Sequence, residues 1–526
     1  MPEVNGMEPV MIKLTGRIDS NNAPQIGEEI NGLLKDNGGA PVVMDASELE
    51  YISSAGLRVI LRVKQTNPDL KITGVSSGVY EVLEMTGFTE MMQVEKAYRV
   101  VSIDGCEEIG RGANGVVYRV DDDNVVKVYF DSDALADIQH EREVARLALI
   151  LGIPTAISYD VVKVGDSYGS VFELLNATSF SKILANEPER MDWVVSEYVK
   201  MLNLIHGTVV PEGKLPDFRD TVISWADFMQ DHLPEQYGTK LKALVEAIPH
   251  DDHMIHGDYH TKNIVLQGDE VLIIDMDTLA VGHPVIELAS IYNAFQGYSE
   301  YDHGTVLEFQ GFDFDTATQF WHKVLAAYLG THSETKLHEV EDKARVIGYT
   351  RMIRRSIRRK GLESEKGRAE IELWKGELID LLDRVDSLVF DVNELEIDAV
   401  NNNLPEVQDF VNEKLEKAGF PAKTVMQVGL AVEEIFVNVA SYAYSPEIGK
   451  AKLKVEISDG PSSVTIIMSD SGIPYDPLAK EDPDVTLSAQ ERQVGGLGIF
   501  LTKQLMDDMS YEYKDGKNIL TLKKNA

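Results

Sequence analysis

The segment His256-Gly-Asp-Tyr-His-Thr-Lys-Asn263, followed one strand later by Ile274-Asp275, constrains the fold and chemistry of this chain most. Asp258 and Asn263 stand five residues apart on a loop, and Asp275 ends the next strand. An aspartate so placed can accept the proton of an acceptor hydroxyl, while the asparagine and the strand-end aspartate supply oxygen ligands for Mg²⁺. The alternative is a set of ordinary loop caps and turn residues. The pattern favours a phosphoryl-transfer site in the middle of the chain.

A glycine-rich turn and a lysine in an apolar strand precede this segment. Gly110, Gly112 and Gly115 lie in IGRGANGVVY, where a turn without side chains can fold over phosphates. Lys127 follows in VVKVYF, where an unpaired ammonium would be costly to bury. Glu143, in the helical stretch HEREVARLALI, is the expected anionic partner that orients the lysine. A glycine turn alone is a weak signal, so the prediction depends on all these elements occurring in order.

Together these elements resemble the aminoglycoside phosphotransferase and choline kinase family, and more distantly the protein kinases, over roughly residues 103 to 385. The resemblance implies a bilobal protein-kinase-like fold that binds ATP and Mg²⁺. It also implies a role for each matching residue: Lys127 binds phosphate with Glu143 as its partner, Asp258 is the catalytic base, Asn263 and Asp275 bind the metal, and Glu173 lies in the adenine hinge FELL. The acceptor stays open between small hydroxylated molecules and protein side chains.

Five arginines stand out against the acidic background of the chain, in the segment RMIRRSIRRKG. They recur at helical spacing: Arg351, Arg354, Arg355, Arg358 and Arg359. Two interpretations are open. The cluster can clamp a phosphorylated or acidic partner, or it can be a solvated basic face that offsets nearby carboxylates.

A second set of motifs lies near the C-terminus. Glu434 and Asn438 stand one helical turn apart beside an apolar stripe, so the glutamate can act as a base while the asparagine binds Mg²⁺. The strand SVTIIMSD ends at Asp470-Ser-Gly472, where a carboxylate can accept a hydrogen bond from an adenine amino group. The turn Gly495-Gly496-Leu-Gly498 then opens a helix, whose N-terminus offers N–H groups to phosphates.

These three elements resemble the GHKL (Bergerat) ATPase fold over about residues 387 to 526, and specifically the serine kinases that act as bacterial anti-sigma factors. The resemblance implies a second ATP site, an α/β sandwich, Glu434 as base and Asn438 as Mg²⁺ ligand. Asp470, Gly472, Gly495, Gly496 and Gly498 would contact ATP. Related kinases form dimers, so a homodimer through this module is expected from the resemblance.

A serine pair marks the N-terminal region. In the stretch ASELEYISSAGLRVILRV, Ser53 and Ser54 precede an amphipathic helix, and we expect Ser54 to be its N-cap. Residues 8 to 100 resemble the STAS domain of anti-sigma factor antagonists, in which a serine two residues before a glycine is phosphorylated. That position is Ser54, beside Gly56. Many antagonists have aspartate immediately before the phosphorylated serine, whereas this chain has Ser53.

The whole chain is predicted to be a multidomain α/β and α+β protein with three modules: 1–100 STAS-like, 101–385 kinase-like and 386–526 GHKL-like. Its net charge of −37, from 87 acidic and 50 basic residues, argues against nucleic acid or anionic lipid as the principal ligand. No run of about eighteen apolar residues and no signal-like N-terminus is present, and one cysteine excludes an intramolecular disulfide. We therefore expect a cytoplasmic protein that does not enter a membrane.

Three functional hypotheses follow. In the first, the chain is a partner-switch phosphotransferase whose C-terminal module phosphorylates a STAS-type serine, Ser54 or its counterpart on another chain. In the second, the middle module is a small-molecule kinase and the outer modules regulate it. In the third, the ATP sites gate docking to anti-sigma regulators without turnover. Catalytic residues at both sites argue against the third.

Overall fold

A computed structural model describes residues 8–35, 39–112, 114–458, 463–479 and 497–526 of the chain. The chain forms two compact units, Met1–Glu143 with Ile157–Leu174 and Val144–Ala156 with Leu175–Ala526. The first unit contains the STAS-like domain and a small sheet of the kinase-like domain. The second contains the helical part of the kinase-like domain and the GHKL-like domain.

The N-terminal domain is a parallel four-stranded sheet, in the order β1-β2-β3-β4, with helices between its strands. Its strands bury alternate residues, among them Ile12, Leu14 and Ile18 in β1, so one set of side chains enters the core. This confirms the α/β fold expected for the domain. Its elements are β1 Val10–Ile18, α1 Ala23–Leu34, β2 Val42–Ile52, α2 Ser54–Thr66, β3 Lys71–Val75, α3 Ser77–Met85, α4 Phe88–Met91 and β4 Gln93–Lys96.

The start of α2 corrects one sequence prediction. Ser53, not Ser54, is the N-cap: its backbone is extended, and its Oγ accepts a hydrogen bond from the Gly56 N–H at 3.5 Å. Ser54 is the first helical residue, and its side chain is exposed. The prediction erred by one position because either serine can serve as a cap, and the cap is fixed by where the chain leaves β2.

The remaining sheet of the first unit has six strands in the order β5-β9-β10-β8-β7-β6. Strands β6, β7 and β8 form an antiparallel meander, and β10 pairs antiparallel with both β8 and β9. The glycine turn joins β6 to β7, and Lys127 lies on β8. The elements here are β5 Arg99–Val100, β6 Glu107–Arg111, β7 Gly115–Arg119, β8 Asn124–Tyr129, α5 Leu135–Ile150, β9 Asp160–Val164 and β10 Ser167–Glu173.

The second unit begins with a helical region built around one continuous apolar core. Two short sheets, β11-β13-β14 and β12-β15, carry the predicted catalytic segments at their ends. Helices α10 and α13 pack against each other through this core. The elements are β11 Thr178–Ser179, α6 Phe180–Asn186, α7 Met191–His206, α8 Phe218–Gln230, α9 Glu235–Glu246, β12 Met254–Ile255, β13 Ile264–Gln267, β14 Glu270–Ile273, β15 Ala280–Val281, α10 Pro284–Phe295, α11 Gly304–Gln310, α12 Phe314–Leu329, α13 Glu334–Arg358 and α14 Glu365–Arg384.

The C-terminal domain is an antiparallel five-stranded sheet, in the order β16-β17-β18-β20-β19, packed with helices around its own core. By length and composition Ala422–Ala443 could cross a membrane, but Val428, Val432 and Phe436 from it lie fully buried in this core. We therefore assign it as a core helix. The elements are β16 Glu394–Asp398, α15 Leu404–Lys417, α16 Ala422–Asn438, β17 Lys450–Ser458, β18 Ser463–Asp470, α17 Leu497–Leu505, β19 Asp508–Lys514 and β20 Lys517–Asn525.

Within the second unit, α15 of the C-terminal domain caps helices of the kinase-like domain. The Glu406 carboxylate accepts from the Thr335 N–H at 3.0 Å and from the Ser333 hydroxyl, at the N-terminus of α13. Lys414 is 9% exposed and donates to the Leu329 carbonyl, the last residue of α12, at 3.1 Å. An anion at a helix N-terminus and a cation at a C-terminus both complement the helix dipole. These contacts join the two domains through polar groups.

The close packing of α2 gives a stability prediction. A Cβ added at Gly56 would lie 2.7 Å from side-chain carbons of Ile18 and Ile52, whereas one added at Gly78, in α3, meets nothing within 4 Å. We expect Gly56→Ala to destabilise the N-terminal domain by about 1–3 kcal/mol because the buried isoleucines must move. Gly78→Ala should leave it unchanged or slightly stabilised. Chemical denaturation of both variants tests this, and equal stabilities would contradict the packing.

Candidate functional sites

A buried glutamate holds the loop that carries Asp258. Glu287, in the first turn of α10, has no exposed surface, and its carboxylate accepts hydrogen bonds from the backbone N–H groups of His256 and Gly257, the latter at 3.1 Å. The Thr278 hydroxyl donates to the His256 carbonyl at 2.7 Å. Burial raises the pKa of Glu287 to about 7, although the two N–H donors favour its charged form. The hydrogen bonds with Glu287 and with Thr278 therefore fix the backbone immediately before Asp258.

Asp258 is partly exposed and keeps its negative charge. Burial alone would raise its pKa, but a hydrogen bond from His260 and the positive charge of Arg351 outweigh that effect and lower the pKa to about 2. The His260 Nε2 lies 3.5 Å from the Asp258 Oδ2, and its ring is 6% exposed. Arg351 donates to the Gly257 carbonyl at 3.3 Å and to the Ser290 hydroxyl at 2.7 Å. Asp258 thus stays ionised at neutral pH, as a proton acceptor must.

Two hydrogen bonds that involve the backbone connect Asp258, Asn263 and the residue before Asp275. The Asn263 Nδ2 donates to the Asp258 carbonyl at 3.1 Å, which leaves its amide oxygen for a ligand. The Ile274 N–H donates to the Asn263 carbonyl at 2.8 Å, so Asp275 follows directly from the same connection. Asp275 has a φ of 64°, a left-handed conformation uncommon outside glycine. Amide and carboxylate oxygens suit Mg²⁺.

Within the described ranges, no group of three or more His, Cys, Asp or Glu side chains could hold a metal ion. Mg²⁺ characteristically binds through one or two carboxylates together with substrate phosphates and water. The oxygens of Asn263 and Asp275 therefore fit an ion that arrives with a nucleotide.

In the first unit, Lys127 has a different partner from the one predicted. Its Nζ donates to both carboxylate oxygens of Glu141, at 2.9 and 3.1 Å, and Tyr129 donates to the same carboxylate at 2.5 Å. Glu143 is exposed. The prediction of Glu143 as partner was wrong because residues two apart on a helix face different sides. Glu141 lies in phase with buried Ile138 and Ala145, a periodicity visible in the sequence.

The glycine turn lies between β6 and β7, where the Gly112 N–H donates to the Gly115 carbonyl at 2.9 Å. Gly115 lies against β8, where the Val128 carbonyl oxygen would be 2.3 Å from an added Cβ. Gly110 and Gly112 have more room, and nothing lies within 4 Å of a Cβ added at Gly112. Glu173 is the last residue of β10 and is exposed.

A cavity of about 490 Å³ opens beside Asp258 in the second unit. Asp258 and His260 form one part of its wall, and α13 and the segment after it form another. Of the five arginines at the end of α13, Arg351, Arg355 and Arg359 line the cavity, whereas Arg354 and Arg358 do not. Spacings of four residues keep the first three on one side of the helix. Three of the five arginines thus belong to the cavity wall.

In the C-terminal domain, Glu434 and Asn438 lie half-buried one turn apart near the end of α16. The start of α17 approaches them closely, because a Cβ added at Gly498 would lie 2.0 Å from the Glu434 Oε2. A residue with a Cβ at position 498 would therefore displace the Glu434 carboxylate from this position. Gly495 and Gly496, also predicted to contact ATP, lie outside the described residues.

Asp470 is held by an asparagine that the sequence analysis missed. Its Oδ1 accepts from the Gly472 N–H and from the Asn518 Nδ2, both at 2.9 Å. Asn518 is 7% exposed, and its own Oδ1 accepts from the Tyr475 N–H and the Tyr511 hydroxyl. The Asp470 carboxylate therefore has a fixed orientation, and its Oδ2 takes no part in these two hydrogen bonds.

The Lys127–Glu141 pair gives a binding prediction. We expect Glu141→Gln to raise the Kd for ATP at the middle domain about tenfold, a loss of about 1.4 kcal/mol, because the ammonium loses the charge that holds it. Glu143→Gln, two residues away and exposed, is the matched control and should bind ATP normally. Titration calorimetry in an Asp470→Ala background isolates this site. The reverse ranking of the two variants would restore Glu143 as the partner.

Asn518 gives the corresponding prediction for the C-terminal domain. Asn518→Ala removes a hydrogen bond to the Asp470 carboxylate, so we expect ATP affinity there to fall about tenfold. The measurement uses a Lys127→Ala background, with Asn525→Ala, an exposed asparagine on the same strand, as control. Unchanged affinity in Asn518→Ala would mean that the orientation of Asp470 is not needed for nucleotide binding.

Three family models match successive parts of the chain. They are the STAS domain of Mlab type over residues 5–94, the phosphotransferase enzyme family over 105–318, and the histidine kinase-like ATPase domain over 397–524. Among solved structures, the chain is similar to a thermostable mutant of aminoglycoside phosphotransferase APH(4)-Ia, with 13% identity, 53% of this chain and 94% of that chain covered, and a TM-score of 0.38. A choline/ethanolamine kinase family protein from Mesorhizobium loti gives 14% identity, 53% and 88% coverage, and a TM-score of 0.36.

The chain is also similar to curated signalling proteins. BtrV of Bordetella bronchiseptica, which carries the name of an anti-sigma factor antagonist, is 37% identical over 18% of this chain and 82% of its own length. The serine/threonine-protein kinase BtrW of the same organism is 31% identical over 18% of this chain, which spans 65% of BtrW. The serine-protein kinase RsbW of Listeria monocytogenes is 28% identical, over 20% of this chain and 70% of RsbW. In this chain a STAS domain is followed by a phosphotransferase-family domain and a histidine kinase-like ATPase domain, and the chain is an ATP-dependent phosphotransferase. Through its STAS domain, the chain belongs to the anti-sigma factor antagonist family.

Proposed function

We propose that this chain is a partner-switch phosphotransferase whose C-terminal domain transfers the γ-phosphate of ATP to a STAS-type serine, Ser54 of this chain or its counterpart on another. The observation that carries the proposal is the exposed hydroxyl of Ser54, at the first position of α2, in a polypeptide that also contains an ATPase domain similar to serine kinases. The neighbouring Ser53 hydroxyl is engaged as the N-cap. Of the two serines, Ser54 is therefore the better acceptor.

In this reaction the oxygen of the serine hydroxyl forms a bond to the γ-phosphorus, and Glu434 accepts the hydroxyl proton. The bond from the γ-phosphorus to the β,γ-bridging oxygen breaks, and ADP leaves. Asn438, one turn away, would hold the Mg²⁺ that neutralises the phosphates. Asp470 would accept from the adenine amino group, with its orientation set by Asn518. The half-buried position of Glu434 and Asn438 on one face of α16 supports this division of roles.

Phosphorylation of Ser54 would act through charge. A phosphoserine carries about −1.5 to −2 charges, and the positive end of the α2 dipole tolerates them. A protein that docks on this surface through apolar or acidic groups would be repelled. We infer that STAS or anti-sigma proteins are the partners, that the switch operates in the cytoplasm, and that the C-terminal domain forms a homodimer.

The middle domain is a second phosphotransferase in this proposal. Lys127 would bind ATP phosphates, Asp258 would take the acceptor proton, and Asn263 and Asp275 would hold Mg²⁺. A second candidate function, a small-molecule kinase regulated by the outer domains, is favoured by one observation: the cavity beside Asp258 has the size of a small-molecule site.

The proposal predicts phosphate incorporation at Ser54. After incubation of the full chain with Mg-ATP, intact-mass spectrometry and peptide mapping should find one phosphoryl group on Ser54 in wild type and in Asp258→Ala. Incorporation should disappear in Glu434→Ala and in Ser54→Ala.

The control at the neighbouring serine must keep the helix cap. Ser53→Asn removes the hydroxyl but retains an N-cap acceptor, whereas Ser53→Ala would cost about 0.5–2 kcal/mol of helix stability. We expect Ser53→Asn to be phosphorylated like wild type. Incorporation that persists in Ser54→Ala, or that maps elsewhere, would remove Ser54 as the acceptor.

A further inference from the structure

The cavity beside Asp258 has an unusual charge for this protein. Its wall contains Arg351, Arg355, Arg359 and Lys366, against the carboxylates of Asp258 and Glu370. The chain as a whole has a net charge of −37, so a predominantly basic wall is a local exception. On an acidic protein we would expect surface arginines to form ion pairs with nearby carboxylates, so a basic cavity wall requires an explanation.

The three arginines differ from Lys366 in their contacts with carboxylates. In the described ranges none of them forms an ion pair, whereas Lys366 is paired with Asp302 at 2.6 Å and lies 3.8 Å from Glu370. Arg351 is held by the Ser290 hydroxyl and the Gly257 carbonyl beside the catalytic loop. Arg355 makes a long contact of 3.4 Å with the Tyr298 hydroxyl and, like Arg359, is exposed. The guanidinium groups of Arg355 and Arg359 are therefore accessible to a ligand.

Aromatic groups complete the wall. Tyr298 lies under the Arg355 guanidinium, 5.7 Å from ring centroid to carbon, and Phe309 packs edge-on against His260. Trp374 is 3% exposed, and its indole N–H has no hydrogen-bond partner within the described residues. A buried donor without an acceptor is costly, and a polar ligand in the cavity would offer one.

We propose that the acceptor of the middle domain is a small hydroxylated anion, a polyol that carries a phosphate or carboxylate group. The inference rests on the phosphotransferase function proposed for this domain and names its substrate class. The anionic group would lie on Arg355 and Arg359, since guanidinium forks match the oxygens of phosphate and carboxylate. A cavity of about 490 Å³ fits a small molecule. A polycationic acceptor such as an aminoglycoside would face three like charges.

The transfer places the two ends of the acceptor at opposite parts of the wall. The acceptor hydroxyl oxygen forms a bond to the γ-phosphorus of ATP while the bond from that phosphorus to the β,γ-bridging oxygen breaks. The hydroxyl proton passes to the ionised Asp258 carboxylate, and ADP leaves with the bridging oxygen. The arginines hold the anionic end and take no part in the bond changes.

The test uses the full chain with Glu434→Ala, which silences the C-terminal domain. Glycerol 3-phosphate, ribose 5-phosphate and glucose 6-phosphate are each compared with the unphosphorylated parent by ADP release. Glycerate, kanamycin and a separately added STAS protein are tested in the same way. We expect one or more of the anions to accelerate ADP release, with loss of the response in Asp258→Asn. The double variant Arg355→Gln/Arg359→Gln should raise KM for that anion about tenfold or more with little change in kcat. Arg358→Gln removes an exposed arginine in the last turn of α13 that does not line the cavity, and it should leave KM unchanged.

Each other outcome overturns the inference in a distinguishable way. Asp258-dependent stimulation by kanamycin or by a neutral parent as strong as by the anion would retain the phosphotransferase and reject the anionic acceptor. Asp258-dependent transfer to an added STAS protein alone would replace the small molecule with a protein acceptor. No Asp258-dependent ADP release with any probe would reject phosphotransfer by the middle domain and the inference with it. Equal KM effects in Arg358→Gln and in the double variant would reject the arginine wall as the anion site.

Discussion

The buried carboxylate of Glu287 is the interaction on which the catalytic part of the second unit depends. It accepts the N–H groups of His256 and Gly257, two donors that a tight loop would otherwise leave unsatisfied in the interior. Because an unpaired buried N–H costs about 1–3 kcal/mol, the loop has one favourable position. Asp258 follows immediately, and Asn263 is tied to it through the Asp258 carbonyl. The positions of the predicted catalytic base Asp258 and the predicted metal ligand Asn263 therefore both depend on one carboxylate at the start of α10.

Helix α13 links this loop to the rest of the second unit. Its 25 residues span about 37 Å at 1.5 Å per residue. At its N-terminus, Glu406 of the ATPase domain accepts a hydrogen bond from the Thr335 N–H. Near its other end, Arg351 contacts the catalytic loop, and Arg355 and Arg359 line the cavity. One helix thus contacts the ATPase domain at its N-terminus and lines the cavity beside Asp258 near its C-terminus.

The sequence predicts elements whose chemistry is local and misses those that depend on packing between distant segments. The loop from His256 to Asn263 was identifiable because the residue types and their spacing belong to one short stretch. The roles of Glu141 and Ser53 were each assigned to a residue one or two positions away, Glu143 and Ser54. An error of one or two residues in the phase or the start of a helix is enough to cause this. Asn518 is 48 residues from Asp470, and no local pattern connects the two.

The arginine wall shows why net charge is a poor guide to a single site. At physiological ionic strength the Debye length is about 8 Å, so most of the −37 charges are screened from any one point on the protein. A ligand in the cavity meets a local set of charges: three guanidiniums that form no ion pair with the described residues, a lysine already engaged with Asp302, and the carboxylates of Asp258 and Glu370. In the proposed transfer Asp258 takes the proton of the acceptor hydroxyl, and the arginines lie on another part of the wall. An acceptor with a hydroxyl at one end and an anionic group at the other matches both parts, whereas a cationic acceptor matches only the carboxylates.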